Sequence, residues 1–171
     1  MGAVRPSLDA WALSMAKVVG QRSTCLRRAV GCVLLDKQGL VLATGYNGVA
    51  SGQPHCNEPK ASIQTFMDHV ENPDQPRIIY PHACSGAAAE SGTMLDSCEA
   101  IHAEQNALLQ CQDVRQIHTC YVTTSPCVTC TKLLLNTSCQ RIIYQLPYPQ
   151  PEAKALWEKA GRTWDTTMEA R

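Results

Sequence analysis

The chain has 171 residues, with 15 lysines and arginines balanced by 15 aspartates and glutamates. This length suits one domain of ordinary size, which we expect to cover residues 1–171. The zero formal net charge argues against a protein that mainly grips a nucleic acid backbone, because phosphate contacts need a basic surplus.

Apolar periodicity and capping residues predict an opening helix, a hairpin, and then alternating helices and strands. Ser7 is expected to cap a helix from Leu8 to about Gly20. This order of elements predicts an α/β fold, a three-layer α-β-α sandwich with a mixed central sheet. In chain order, the later predicted elements are the strands Ala29–Asp36 and Leu40–Thr44, the helix Ile101–Cys111, the strand His118–Thr123, the helix Cys127–Leu135, the strand Arg141–Gln145, the helix Glu152–Ala160 and a short strand near Arg162–Thr166.

The segment from about Cys56 to Cys98 is irregular and contains four prolines, Pro59, Pro73, Pro76 and Pro81. A segment of this length inside a compact domain is expected to be functional, or to be held in place by a specific interaction. We therefore treat it as an insert into the single domain.

The cysteine content directs the search for chemistry. No segment approaches the roughly 20 apolar residues of a membrane span, and the N-terminus lacks the apolar core of a signal peptide. We therefore expect a cytoplasmic protein without a membrane partner. Ten cysteines in such a chain indicate reduced thiols that bind metal or pack as small apolar side chains.

Two short fragments carry residue types that bind zinc and move protons. Ile101-His102-Ala103-Glu104 opens one predicted helix, and Ser125-Pro126-Cys127-Val128-Thr129-Cys130 opens another. His102, Cys127 and Cys130 would supply three zinc ligands and leave a fourth position open, as in catalytic zinc sites. Glu104 would then act as the general acid and base. This order of H-x-E and P-C-x-x-C is a signature of zinc-dependent nucleobase deaminases.

Each fragment alone also has a simpler interpretation. A single C-x-x-C often belongs to a structural zinc or redox site, and Glu104 would then be a solvated acid. Residues two apart on a helix also point about 200° apart. The sequence therefore does not explain how Glu104 would reach a metal held by His102.

Further segments resemble the deoxycytidylate (dCMP) deaminase family, most closely its phage and bacterial members. The resemblance covers about Leu8–Tyr148 apart from the irregular segment. It implies a cytidine deaminase-like fold and the hydrolytic deamination of dCMP to dUMP and ammonia, which supplies dUMP for dTTP synthesis. The segments that carry it are RSTCLRRAVG at Arg22–Gly31, TGYNG at Thr44–Gly48, His55-Cys56, and CEAIHAEQNA at Cys98–Ala107.

The same resemblance implies roles for individual residues. Glu104 takes a proton from water, delivers it to N3 of the cytosine and assists the departure of ammonia. Asn47 contacts the deoxyribose, while Tyr148 and Ala103 contact the substrate. The 5′-phosphate needs a cation, for which Arg22 and Arg27 are the main candidates and Arg28 competes. Each of these has a plain alternative as a surface arginine, a turn residue after a strand, or a residue packed in a loop.

A second, structural zinc is implied by Cys25 and Cys56, which match ligand positions of phage family members. Cys84 and Cys98 are the expected remaining ligands, with His55, His82 and Glu99 as reserves. Such a closed site would order the irregular insert.

Family members also suggest assembly and regulation. The resemblance implies a homohexamer that is activated by dCTP with a divalent cation such as Mg²⁺ and inhibited by dTTP. The allosteric site would lie near Asn47 and Gly48. No Walker loop supports a separate phosphate site, and the helix end at Leu109–Asp113 departs from the family pattern.

Two other classes of protein remain as alternatives. A nucleic-acid base deaminase of the tRNA adenosine deaminase type has the same zinc signature, but zero net charge and a single phenylalanine argue against nucleic acid as a partner. A non-catalytic, zinc-stabilised nucleotide-binding module would have no need for Glu104.

Overall fold

The computed structural model describes residues 4–58, Cys84, Gly86 and residues 98–167. Of the predicted insert, only residues 56–58, Cys84, Gly86 and Cys98 are among the described residues. Among the described helices, none has the length and apolar character that crossing a membrane requires. The elements are α1 (Leu8–Gly20), β1 (Gly31–Leu35), β2 (Val41–Tyr46), α2 (Ala103–Gln110), β3 (Thr119–Thr124), α3 (Val128–Leu135), β4 (Arg141–Leu146), α4 (Pro151–Lys159) and β5 (Thr163–Thr166).

The strands form one mixed sheet in the order β2-β1-β3-β4-β5. β1 pairs antiparallel with both β2 and β3, whereas β3, β4 and β5 run parallel. The connections between the parallel strands contain α3 and α4, as β-α-β units require. The predicted mixed sheet is confirmed.

Helices cover both faces of this sheet. Because side chains alternate along a strand, Val33 and Leu35 face α1, while Cys32 and Leu34 face the opposite side. α1 buries Ala12, Leu13 and Ala16 against the first face. α2, α3 and α4 pack on the second face, where Trp157 is fully buried. The three-layer α-β-α sandwich is therefore confirmed.

Local interactions explain where the first elements begin and turn. The predicted cap at Ser7 is confirmed, because the backbone N–H of Ala10 donates to Ser7 Oγ at 3.2 Å. In the hairpin, Asp36 Oδ1 accepts hydrogen bonds from the N–H groups of Gln38 and Leu40. Gly39 has a φ of 85°, a conformation that glycine adopts without steric cost.

Strand directions bring several chain segments to one edge of the sheet. The register pairs Gly31 at the start of β1 with Tyr46 at the end of β2. It also pairs Cys32 with Val122 near the end of β3, and Thr124 with Leu146 at the end of β4. The residues before β1 and those after β2, β3 and β4 therefore meet at this edge.

The helix α2 lies directly on the backbone of β2 at Gly45. A Cβ atom at this position would lie 2.3 Å from both the carbonyl oxygen of Ala103 and the nitrogen of Ala107. Only glycine permits this approach, which fixes the start of α2 against the sheet edge.

We expect Gly45→Ala to destabilise the protein by about 3 kcal/mol, since the added methyl group meets helix backbone that must move. The measurement is urea unfolding, with Gly48→Ala as the matched control. A Cβ at Gly48 would touch only the ring of Tyr46, at 3.6 Å. Equal stability of the two variants would show that α2 does not need this close approach.

Candidate active site

Three candidate zinc ligands meet where two helices begin. His102 immediately precedes α2, Cys127 immediately precedes α3, and Cys130 lies in the first turn of α3. Nδ1 of His102 lies 3.5 Å from Sγ of Cys127 and 3.4 Å from Sγ of Cys130. The ligand atoms of the three residues all lie within 4.8 Å of one another. The structure thus brings together the predicted triad.

The triad fits zinc in both donor chemistry and spacing. A tetrahedral zinc with bonds of about 2.3 Å to sulfur and about 2.0 Å to nitrogen places these atoms about 3.5 Å apart. The observed separations of the His102 nitrogen from the two sulfurs agree with this value. Positive helix ends also favour thiolates. The pKa of Cys127 falls to about 4, chiefly because the Cys130 thiol donates to its sulfur and His102 adds a second interaction.

Glu104 lies in the first turn of α2, and its side chain is 3% exposed. Burial raises the pKa of this carboxyl to about 7, although its own backbone N–H, the charge of His102 and the Cys130 thiol favour the charged form. The carboxyl group therefore sits beside the three ligands in a nearly dry environment. A pKa near neutrality suits a group that accepts and returns a proton.

The backbone of His102 explains how Glu104 reaches the same place. His102 has an extended conformation with φ of −70° and ψ of 156°, so it is not part of the helix. Its N–H donates to Oε1 of Gln105 at 2.9 Å, which fixes the first turn. The 200° separation expected for two helical residues does not apply here, because only Glu104 has helical geometry.

The loop after β2 is attached to the segment that leads into His102. Gly48 and Ile101 exchange two backbone hydrogen bonds, of 3.1 and 2.9 Å. The side chain of Asn106 donates to the carbonyl oxygen of Tyr46 at 2.8 Å. These hydrogen bonds therefore fix the loop after β2 to the backbone on either side of His102.

Asn47 is buried, lines the cleft and bridges two backbone groups on the opposite wall. Its Nδ2 donates to the carbonyl oxygen of Arg28 at 2.7 Å, and its Oδ1 accepts from the N–H of Val30 at 2.8 Å. Each end of the amide can form one further hydrogen bond. The side chain therefore holds the residues before β1 and still offers polar atoms to a ligand.

Arginines and an aromatic ring form the outer part of the cleft. Arg27, Arg28 and Tyr148 line it, whereas Arg22 is exposed and lies outside its lining. The guanidinium carbon of Arg28 lies 5.9 Å from the centre of the Tyr148 ring. Nη1 of Arg28 is buried and has no hydrogen-bond partner in the part of the chain that the structure describes.

Four further thiols gather beside the cleft. Cys25 and Cys98 line it, and Cys56 and Cys84 are almost fully buried. The pKa of Cys56 is raised to about 12 by burial, and then by interactions with Cys84, Cys25 and Cys98. These four residues are distant in sequence but close enough to interact. Of the reserve ligands, His55 and Glu99 are exposed, and His82 lies outside the described residues.

The sequence analysis missed several residues of this cleft. Thr124 and Ser125 line it between β3 and the first cysteine ligand, and Val30 and Ala100 line its other walls. Ala103, by contrast, was among the expected substrate contacts; it lines the cleft and is fully buried. For Ser125, a usable signal was its position directly before Pro126 and Cys127. Val30 and Ala100 carry no polar side chain that would have marked them.

Comparison with known families gives a match over most of the chain. Residues 6–146 match the family model described as the cytidine and deoxycytidylate deaminase zinc-binding region. The matched range contains His102, Glu104, Cys127 and Cys130, and it ends just before Tyr148.

Individual relatives give the same result. The chain is 34% identical over 160 residues to a deoxycytidylate deaminase of Schizosaccharomyces pombe, which matches 92% of this chain but only 43% of the yeast protein. A deoxycytidylate deaminase of Mycobacterium phage D29 is 33% identical, covering 82% of this chain and 95% of its own. The chain thus spans less than half of the yeast relative and nearly all of the phage relative.

A solved structure shares the fold. The dCMP deaminase of cyanophage S-TIM5, in complex with dCMP and dUMP, superimposes with a TM-score of 0.66 at 21% identity. The match covers 96% of this chain and 100% of the cyanophage chain. It supports the three-layer architecture described above.

Proposed function

The chain belongs to the cytidine and deoxycytidylate deaminase zinc-binding family, and on this premise we propose that it converts dCMP and water to dUMP and ammonia. The observation that carries the proposal is a buried glutamate beside three zinc ligands, in a cleft that also contains arginines. The carboxylate and metal suit hydrolytic deamination, and the arginines suit a nucleotide.

Glu104 performs the proton transfers in this proposal. His102, Cys127 and Cys130 would hold a zinc ion, which would supply Lewis-acid activation of water. Glu104 accepts a proton from the attacking water and delivers it to N3 of the cytosine. It then takes the proton of the hydroxyl newly formed at C4 and passes it to the amino group, which leaves as ammonia while the C4 oxygen becomes the carbonyl. Its burial excludes bulk water from these transfers, and its raised pKa makes both protonation states accessible near neutral pH.

The arginines select a phosphorylated substrate. A buried guanidinium N–H without an acceptor is costly, and a phosphate oxygen would satisfy Nη1 of Arg28. Arg27 lines the same cleft and would add a second positive charge. The proposed phosphate site therefore consists of Arg27 and Arg28, while the side chain of Arg22 lies outside the cleft lining.

The remaining walls would orient the sugar and base. Among the described residues, the Asn47 amide makes one side-chain hydrogen bond at each end, and each end can form one more, which suits a deoxyribose hydroxyl. Tyr148 presents a half-buried ring at the mouth of the cleft, and Ala103 lies between His102 and Glu104. A base between these residues would face the metal ligands.

A second, structural zinc completes the proposed cofactor set. Cys25, Cys56, Cys84 and Cys98 come from separate segments. Burial raises the pKa of the Cys56 and Cys98 thiols, and the nearby Cys84 and Cys25 raise it further. Four thiolates form a closed zinc site. Because Cys25 and Cys98 also line the catalytic cleft, this zinc would hold the insert against the substrate site within the single domain.

Regulation by dCTP with Mg²⁺ as activator and dTTP as inhibitor, in a cytoplasmic homohexamer, is part of the same proposal. The loop at Asn47 and Gly48 is the proposed effector site. Its support is the pair of backbone hydrogen bonds from Gly48 to Ile101, the residue before the ligand His102. A nucleotide that moved this loop would move the metal site with it.

We expect Glu104→Gln to lower kcat for dCMP by about 100- to 10,000-fold, because the amide cannot transfer protons. Ammonia release is measured with dCMP, cytidine and dCTP, with the exposed Glu152→Gln as control. Zinc content should be unchanged, since Glu104 is not a ligand. Activity of the wild-type protein on cytidine alone, or full activity of Glu104→Gln, would contradict the proposal.

We expect Arg28→Ala to raise KM for dCMP by about 10- to 100-fold, because a charge-assisted hydrogen bond to phosphate is lost. Deoxycytidine, which lacks the phosphate, should be little affected. Arg22→Ala serves as the control for a surface arginine. An equal loss of affinity for dCMP and deoxycytidine would assign Arg28 to the shape of the cleft instead of phosphate binding.

Metal analysis tests both zinc sites. The wild-type protein should hold about two zinc ions per chain, and Cys130→Ser and Cys56→Ser should each lose about one. Cys111→Ser alters a half-exposed thiol at the end of α2 and should keep both. A wild-type content of about one, unaffected by Cys56→Ser, would remove the structural zinc from the proposal.

A further inference from the structure

The segment after β4 is attached to the start of α3 at three points. The backbone N–H of Ser125 donates to the carbonyl oxygen of Leu146 at 2.8 Å. The N–H of Tyr148 donates to Ser125 Oγ at 2.7 Å, and the N–H of Val128 donates to Oε1 of Gln150 at 3.0 Å. Alternate residues 146, 148 and 150 thus bind the turn that carries the cysteine ligands.

The sequence around Tyr148 makes one of these contacts decisive. Pro147 and Pro149 have no backbone N–H, so Tyr148 carries the only N–H group of residues 147–149. Ser125 accepts it. Each proline also restricts the residue before it to extended conformations. The segment is therefore stiff, and between its attachments at Leu146 and Gln150 the hydrogen bond from Tyr148 to Ser125 positions the Tyr148 backbone on the β3–α3 turn.

Ser125 lies between the catalytic cleft and the cysteine ligands, so it can position Tyr148 relative to both. Its side chain is buried, lines the catalytic cleft and lies two residues before the ligand Cys127. Arg28 covers the Tyr148 ring from the other side of the cleft. The ring is thus held between a residue of the proposed phosphate site and the turn that carries the metal ligands.

Gln150 contributes in a complementary way. It immediately precedes α4, while its side chain accepts a hydrogen bond from Val128, the first residue of α3. The first N–H groups of a helix have no partner within the helix. Gln150 therefore satisfies one such group of the ligand-bearing helix and ties the end of the Tyr148 segment to it.

From this geometry we propose that Ser125 and Gln150 are positioning residues, which fix Tyr148 as a wall of the substrate cleft in register with the metal-binding helix. This proposal rests on the proposed function for the role of Tyr148 in substrate binding. Ser125 acts through Tyr148, so its loss should weaken substrate binding while the proton transfers of Glu104 continue.

The anchoring is tested by amide exchange of the zinc-loaded protein. The chain has five tyrosines, so ¹⁵N-tyrosine labelling gives a small set of signals. Tyr148→Phe identifies the signal of Tyr148 by removing it. We expect Ser125→Ala to accelerate exchange at Tyr148 by about tenfold or more, whereas Tyr121 within β3 should not change. Ser125→Thr, which keeps the hydroxyl, should restore protection.

The functional consequence is tested by kinetics with dCMP. We expect Ser125→Ala to raise KM by about tenfold, with kcat within about twofold and zinc content unchanged. Gln150→Ala should act in the same direction. Gln150→Glu should retain the wild-type KM, because its carboxylate still accepts from Val128 and suits a helix N-terminus. If Ser125→Thr does not fold, the comparison of Gln150→Ala with Gln150→Glu still tests whether these hydrogen bonds control KM.

Three outcomes would overturn the proposal: unchanged exchange at Tyr148 in Ser125→Ala, faster exchange without a change in KM, or a parallel loss of kcat and zinc. The last would mark Ser125 as a purely structural residue. If the wild-type protein does not deaminate dCMP, the proposed function fails, and the exchange rates still decide whether Ser125 anchors Tyr148.

Discussion

Two helices that begin at the same place create the chemistry of this protein. The N-termini of α2 and α3 direct their positive ends toward one point, where the imidazole of His102 and the thiols of Cys127 and Cys130 meet. Thiolates would repel one another without a metal, and the two helix ends reduce that cost. The close approach at Gly45 is what allows α2 to start there.

The same arrangement explains the environment of Glu104. A carboxylate in water would ionise near its usual pKa and would share its protons with solvent. Behind the metal ligands it is almost completely buried, and the cost of desolvating the charge raises its pKa to about 7. The position of α2 therefore determines both the geometry of the three candidate metal ligands and the burial of Glu104. A shift of α2 would change both.

The proposed substrate contacts come from the parts of the cleft that are less regular. Residues before β1 supply the arginines, the loop after β2 supplies Asn47, and the segment after β4 supplies Tyr148. These three segments contact one another. The Asn47 side chain donates to the carbonyl oxygen of Arg28, and the Arg28 guanidinium lies over the Tyr148 ring. The backbone N–H of Tyr148 in turn donates to Ser125 Oγ. The proposed phosphate site is thereby joined to the turn that carries Cys127.

Much of the architecture could be predicted from the sequence, since it depends on local rules. Apolar periodicity, the cap at Ser7 and the turn at Asp36–Gly39 act over a few residues, and every described element lies within a few residues of its predicted position. The zinc triad was also predictable, because few residue types bind zinc and their spacing is short. The sequence did not show that His102 lies outside the helix, because the backbone around it is positioned by a distant segment: Gly45 lies against Ala103 and Ala107, and Gly48 pairs with Ile101.

The sequence by itself therefore determined the order of the elements, the three candidate metal ligands and Glu104 as the candidate acid–base residue. Only the tertiary structure decided which arginines enter the cleft, that the Asn47 amide spans the backbone of residues 28–30, and that Ser125 holds Tyr148. The physical reason is range. Helix and turn preferences act between neighbours along the chain, whereas the walls of the cleft are formed by segments that meet only because antiparallel and parallel strands end at one edge of the sheet.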